Sequence, residues 1–183
     1  MCTFIRPLIA ALSCAFLLLL AANPPNGGAL AQSNQEQVKQ MALTEPQITG
    51  FLAAQKDINA IFAKLPQEAM DKPDPKVQAQ LDAVAKKYKF ANFSEFTNVA
   101  ANIDLVMAGI DPQTKKYLGA EVVLKKQIAA VQADKQMPAN EKKQAIDQMS
   151  EQLKASAPVQ FPENISLVMK YFDKILASMR QEG

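Results

Sequence analysis

The chain has 183 residues and a formal charge of only +2, with two cysteines, no histidine and no tryptophan. That length suits one ordinary domain plus a leader. Without histidine, Ser-His-Asp and Cys-His nucleophile systems are excluded, as is a histidine pH switch.

The first 31 residues read as a leader. Met1 to Arg6 is short and positively charged, Pro7 to Ala22 is apolar apart from Ser13, and Ala29-Leu30-Ala31 is a small-x-small site. This is the pattern of a secretory signal peptide, with the cut expected between Ala31 and Gln32. The apolar run falls short of the about 20 residues a membrane span needs, and no later segment resembles a span. The alternative is an uncleaved N-terminal anchor. Cys14 lies inside the apolar run and is preceded at three residues by Ala11, which argues against lipid attachment. Cleavage would leave 152 residues, remove Cys2 and Cys14, and so rule out both a disulfide and a zinc site of the usual ligands. Losing Arg6 leaves 19 basic against 18 acidic residues, all the basic ones lysine except Arg180. This near-neutral, arginine-poor balance argues against nucleic acid and against strong binding to an anionic membrane. The expected location is periplasmic or secreted.

Residues 32–43 are polar and glutamine-rich, and are expected to form a flexible lead-in to a single helical domain over 44–183. Leu43-Thr44-Glu45-Pro46-Gln47 opens the first helix: Thr44 caps, Gln47 reaches back, and Pro46 is tolerated in a first turn. Ile48, Phe51, Leu52, Ile58, Ile61, Phe62 and Leu65 form its apolar face. Pro66 ends it, and Asp71 to Pro75 is a turn. Asp74 with Pro75 starts a second helix with a stripe at Val77, Leu81, Val84 and Tyr88. Lys86, Lys87 and Lys89 crowd its C-terminal end, where the helix dipole favours cations.

The organising stretch runs from Asn92 to Ile110. Phe93, Phe96, Val99, Ala100, Ile103, Val106, Met107 and Ile110 recur at spacings of three and four, the period of one helix face. Asn92 and Glu95 resemble a capping box. No lysine occurs between Lys89 and Lys115, so this helix is placed at the centre of the core. Gly109 and Asp111-Pro112 end it. Asp111-Pro112 is also expected to start a fourth helix, with Tyr117, Leu118, Val122, Leu124, Ile128 and Val131 as its apolar set. Pro138 precedes a fifth, charged helix with a narrow stripe at Ile146, Met149 and Leu153. Residues 157–162 are an extended linker. The last helix, from about Glu163 to Gln181, carries Ile165, Val168, Met169, Phe172, Ile175, Leu176 and Met179 on one face. No segment alternates convincingly with period two, and no hairpin dipeptide lies between β-rich runs. The expected fold is all-α, a bundle-like domain of five or six helices.

Few residues invite chemistry. There is no glycine-rich phosphate loop and no S-x-x-K spacing. Asp147 with Glu151, and Asp71 with Asp74, are carboxylate pairs of a kind that bind divalent cations weakly. A solvated helix face and a capped turn explain them better. Asn98, Asn102 and Asp104 are the polar residues of the central helix. They either line a small polar pocket or, the favoured reading, satisfy nearby loop backbone. Asn92-Phe93-Ser94 and Asn164-Ile165-Ser166 fit the glycosylation pattern, but both sit at predicted helix starts, where capping explains them. No catalytic, metal or cofactor-binding residue is assigned, and no binding residue can be named.

The Leu-Thr-x-x-Gln start at Leu43 to Gln47, the Lys-Lys-Tyr-x-Phe…Phe run from Lys86 to Phe96 and the Ala-Gly-Ile-Asp-Pro junction at Ala108 to Pro112 resemble uncharacterised exported helical proteins of bacteria, a domain-of-unknown-function group. That resemblance implies a periplasmic helical domain and no activity. Leu43 to Gln47 also resembles, once and over five residues, the repeated Leu-Thr-x-x-Gln of the Spy/CpxP periplasmic stress chaperones. The second copy is missing, Met137 to Gln144 being a degenerate echo. The implied role is that of a non-enzymatic binding protein, chaperone-like or tied to envelope stress, with an unknown protein partner. The alternative is a carrier of a small apolar ligand between helices, using its Phe- and Met-rich faces.

Overall fold

The computed structural model describes residues 38–65 and 74–180. The expected leader, residues 32–37 of the lead-in, Pro66 and Asp71 lie outside these. Six helices carry the described part: α1 (Glu45–Phe62), α2 (Pro75–Lys87), α3 (Phe93–Met107), α4 (Ala120–Ala133), α5 (Ala139–Ala155) and α6 (Pro162–Arg180). The fold class is all-α. Its one departure is a pair of two-residue strands, β1 (Ile110–Asp111) and β2 (Lys116–Tyr117), antiparallel with Ile110 opposite Tyr117.

The helices start where local chemistry puts them. Thr44 donates both its N–H and its hydroxyl to the Gln47 side-chain oxygen, at 2.9 and 3.0 Å, so the Leu-Thr-x-x-Gln stretch is a helix start. Asp74 caps α2 by accepting from the N–H groups of Lys76 and Val77. Asn92 accepts from the Glu95 N–H, while Glu95 accepts from the Ala91 N–H. The glycosylation-like triplet at Asn92 is therefore a cap.

α1, α2, α3 and α6 form the core. α1 lies against the other three, and α3 against α2 and α6. The central helix buries Phe96, Val99, Ile103 and Val106, as its periodicity predicts. Phe96 is the hub of an aromatic cluster, stacked on Phe51 at 5.5 Å and on Phe93 at 5.7 Å, with Phe90 edge-on at 5.4 Å. α6 contributes Val168, Phe172 and Ile175. Two glycines are required by close approach. A Cβ on Gly50 would lie 2.9 Å from the Tyr88 carbonyl oxygen, and one on Gly109 would lie 2.4 Å from the Tyr117 ring.

The fourth helix differs from expectation. It starts at Ala120, eight residues after Pro112, because Asp111 makes a turn instead of a helix cap. Its Oδ1 accepts from the Gln113 and Thr114 N–H groups, at 2.9 and 3.0 Å, and the Lys115 N–H donates to the Asp111 carbonyl. Lys115 takes the left-handed conformation at φ 53°, which turns the chain back into β2. An Asp-Pro pair opens either a helix or a turn, and the residues after it decide. Tyr117 and Leu118 consequently fall outside α4.

Candidate functional site

Residues 39–43 correct the expected flexible lead-in. They run extended between α3 and α6 as a strap, held by two buried asparagines. The Asn102 Oδ1 accepts from the Met41 N–H at 3.0 Å, and its Nδ2 donates to the Lys39 carbonyl at 3.0 Å. The Asn164 Oδ1 accepts from the Leu43 N–H at 2.7 Å, and its Nδ2 donates to the Met41 carbonyl at 2.8 Å. Both asparagines are all but inaccessible, at 1% and 2% exposure. A buried amide needs partners, and here the strap backbone supplies them. Leu43 is buried in the core and Met41 is half-buried against it. On the strap's other side, the Gln40 side chain donates to the Pro158 carbonyl at 2.9 Å and accepts from the Gln160 N–H at 2.7 Å. The strap is thereby tied to the linker before α6.

Of the polar trio on the central helix, Asn102 satisfies loop backbone, as favoured. The side chains of Asn98 and Asp104 are on the exposed side. Asn164 is a correction: it does not cap α6, which begins at Pro162, but reaches across to the strap. Its register held a clue. It lies in line with Val168, Phe172 and Ile175, so a polar residue stands at a core position.

α1 is fixed to its neighbours at both ends by one device, a carboxylate shared by a Lys-Tyr pair. The Asp57 Oδ2 accepts from Lys87 at 2.7 Å and from the Tyr88 hydroxyl at 2.9 Å. The Glu45 Oε1 accepts from Lys170 at 2.7 Å and from the Tyr171 hydroxyl. The lysine bond, then the tyrosine bond, holds each carboxyl below its usual range. The bond to Glu45, then burial, pushes the Tyr171 hydroxyl up. Such pairs fix helix orientation and offer no vacant nucleophile or base.

The third feature is the α4–α5 hairpin. α5 packs on α4, and α4 touches β1. Lys142 of α5 donates to the Gln132 and Asp134 carbonyls at the end of α4, closing the turn. The seam is built from Leu124, Ile128 and Val131 on α4 and Ile146, Met149 and Leu153 on α5, all half-buried. α5 has no buried residue, and Val123 is the only one on α4. By helical geometry, Val122, Ala129 and Ala133 lie on the side of α4 opposite this seam, and all three are exposed, Val122 at 45%. Leu118, exposed at 37%, precedes them. Three hairpin lysines pair within it, Lys125 with Glu121, Lys143 with Asp147 and Lys154 with Glu151, each at 2.6–2.7 Å, while Lys126 pairs with Asp111 outside it at 2.6 Å.

Those pairings dispose of the carboxylate pair at Asp147 and Glu151, since each has its own lysine. Asp74 is occupied as a helix cap. Among the described residues, no three metal-ligating side chains gather in one place. The phenylalanines sort mostly into core. No protein-family profile, no characterised protein and no solved structure matches the chain.

Proposed function

We propose that this is an exported, non-catalytic helical binding protein that meets its protein partner on the α4–α5 hairpin. The reading extends to a chaperone-like or envelope-stress role. The observation that carries it is α4 itself. Opposite its seam with α5, that helix exposes Val122, Ala129 and Ala133 around Lys125 and Lys126. Exposed apolar side chains set among charged ones are a form that interaction sites take. The balanced ion pairs around it favour a protein surface over nucleic acid or anionic lipid. No helix among the described residues is long and apolar enough to cross a membrane. The carrier alternative has less support, because the aromatic faces it would use are filled by one another.

The test is suppression of aggregation of a chemically unfolded client at equimolar ratio, with Val122→Asp and Ala129→Asp as the variants. Both positions are exposed, so the fold should survive, as circular dichroism would show. The parent should suppress aggregation and both variants should lose most of that effect. A parent without effect removes the chaperone version. Variants as effective as the parent remove the hairpin as the contact surface.

A further inference from the structure

The geometry points to the cleft between α3 and α6 as a receiver for an extended peptide segment supplied by another polypeptide, with residues 39–43 as its resident competitor. This stands apart from the hairpin reading and uses none of its residues.

The hydrogen bonds that hold the strap repeat. Asn102 takes the carbonyl of residue 39 and the N–H of residue 41. Asn164 takes the carbonyl of residue 41 and the N–H of residue 43. Each amide therefore reads the C=O of one residue and the N–H two further on, and the second rung is displaced from the first by two residues. That is the period of a β-strand. The cleft reads a strand by its backbone, as a sheet edge does in peptide recognition by strand addition, but with side-chain amides in place of a neighbouring strand. Backbone reading is indifferent to sequence. Side-chain demands are slight: a large apolar residue at the Leu43 position and a second at the Met41 position, while Val38, Lys39 and Ala42 point to solvent. The ligand class is an extended, unstructured segment of pattern apolar-x-apolar. An incoming segment would make the same bonds as the strap, so exchange replaces like with like. The strap is favoured by its tether, which keeps its local concentration high. A trans peptide thus binds the parent weakly, in proportion to the fraction of open strap.

The probe is a fluorescein-labelled peptide of residues 38–44, with a control peptide carrying proline in place of the methionine. The receptors are the parent chain, Met41→Pro, and Met41→Pro combined with Asn102→Ala. Met41→Pro deletes the N–H that Asn102 reads in the resident strap and leaves the cleft intact. It should bind the probe roughly tenfold or more tighter than the parent does. Adding Asn102→Ala should abolish that gain, and the control peptide should not bind. A purely structural strap can also be refilled by its own peptide, so a second probe of unrelated sequence and the same apolar-x-apolar pattern is added; no gain with Met41→Pro, equal binding of the proline control, or no binding of the second probe to Met41→Pro overturns the proposal. Should Met41→Pro fail to fold, hydrogen exchange in the parent decides. The Leu43 amide must exchange faster than that of Ile103 in α3, because equal rates mean that the strap leaves only when the whole protein unfolds.

Discussion

Replacing Asn164 by alanine should release the strap while leaving the helical core in place. The strap is held by little. Burying Leu43 is worth about 1.5–3 kcal/mol, and the six hydrogen bonds of the strap, four from the asparagines and two from Gln40, are worth about 0.5–1.5 kcal/mol each. Against this, fixing the five residues 39–43 costs about 1–2 kcal/mol each. The two sides, about 5–12 against about 5–10 kcal/mol, nearly cancel. Asn164 supplies two of the six bonds. Losing them weakens docking by about 1–3 kcal/mol and raises the open population roughly tenfold to a hundredfold. Native-state hydrogen exchange reads this directly at the Leu43 and Met41 amides, with the Ile103 amide as the core reference. Both strap amides should lose protection in the variant while Ile103 keeps most of its own. Asn98→Ala, at an exposed side chain on the same helix as Asn102, should change neither. If Leu43 stays as protected in Asn164→Ala as in the parent, the strap is held by something other than the asparagine rungs, and the energetic reasoning fails.

Three further outcomes are expected from the packing and the charges. Gly109→Ala forces a methyl to within 2.4 Å of the Tyr117 ring, so urea unfolding should show a loss of about 1–3 kcal/mol from overpacking. Most of that loss should disappear when Tyr117 is also cut back to alanine, because the clash is with its ring. The Asp111 carboxyl is lowered to about 2, first by its bond to Lys126 and then by the Thr114 N–H. Its folded value lies below the unfolded value of about 3.9. Its contribution to stability is therefore present above that value and is lost as pH falls through about 2. A carboxyl NMR titration placing its midpoint near 4 would mean that the turn is not held as described. The amides of α4 and α5 should exchange faster than those of α1, α3 and α6, since Val123 is the single buried residue of the hairpin. Equal protection would show that the hairpin is already covered in solution.

What could be read from the chain was what is local. The spacing of Phe96, Val99, Ile103 and Val106 places a helix face whatever surrounds it. The caps at Thr44, Asp74 and Asn92 act over three residues. The misreadings all involve partners distant in sequence or a choice between two local meanings. Residues 39–43 look like a polar leader because their anchors, Asn102 and Asn164, lie 61 and 121 positions away from the groups they hold. Asp111-Pro112 has the same letters as Asp74-Pro75. The first pair turns the chain and the second caps a helix, and only the residues C-terminal to each pair separate them. The shared carboxylates at Asp57 and Glu45 were equally hidden, because Lys87-Tyr88 and Lys170-Tyr171 come from other parts of the chain.

The buried polar residues explain why the irregular parts stay in place. Among the described residues three are buried: Asn102, Asp111 and Asn164. Each serves backbone that is not helical. Two hold the strap and one holds the turn that leads into α4. A helix satisfies its own backbone, so the helical core can be almost wholly apolar. An extended strap or a tight turn cannot, so it requires a buried partner from elsewhere. The core is filled by its own aromatic rings. Outside that core, the strap is held through its backbone by Asn102 and Asn164, and α4 exposes Val122, Ala129 and Ala133. The same division makes the strap the place where the proposed exchange of segments is tested, because its backbone is held by side chains and not by its own ladder.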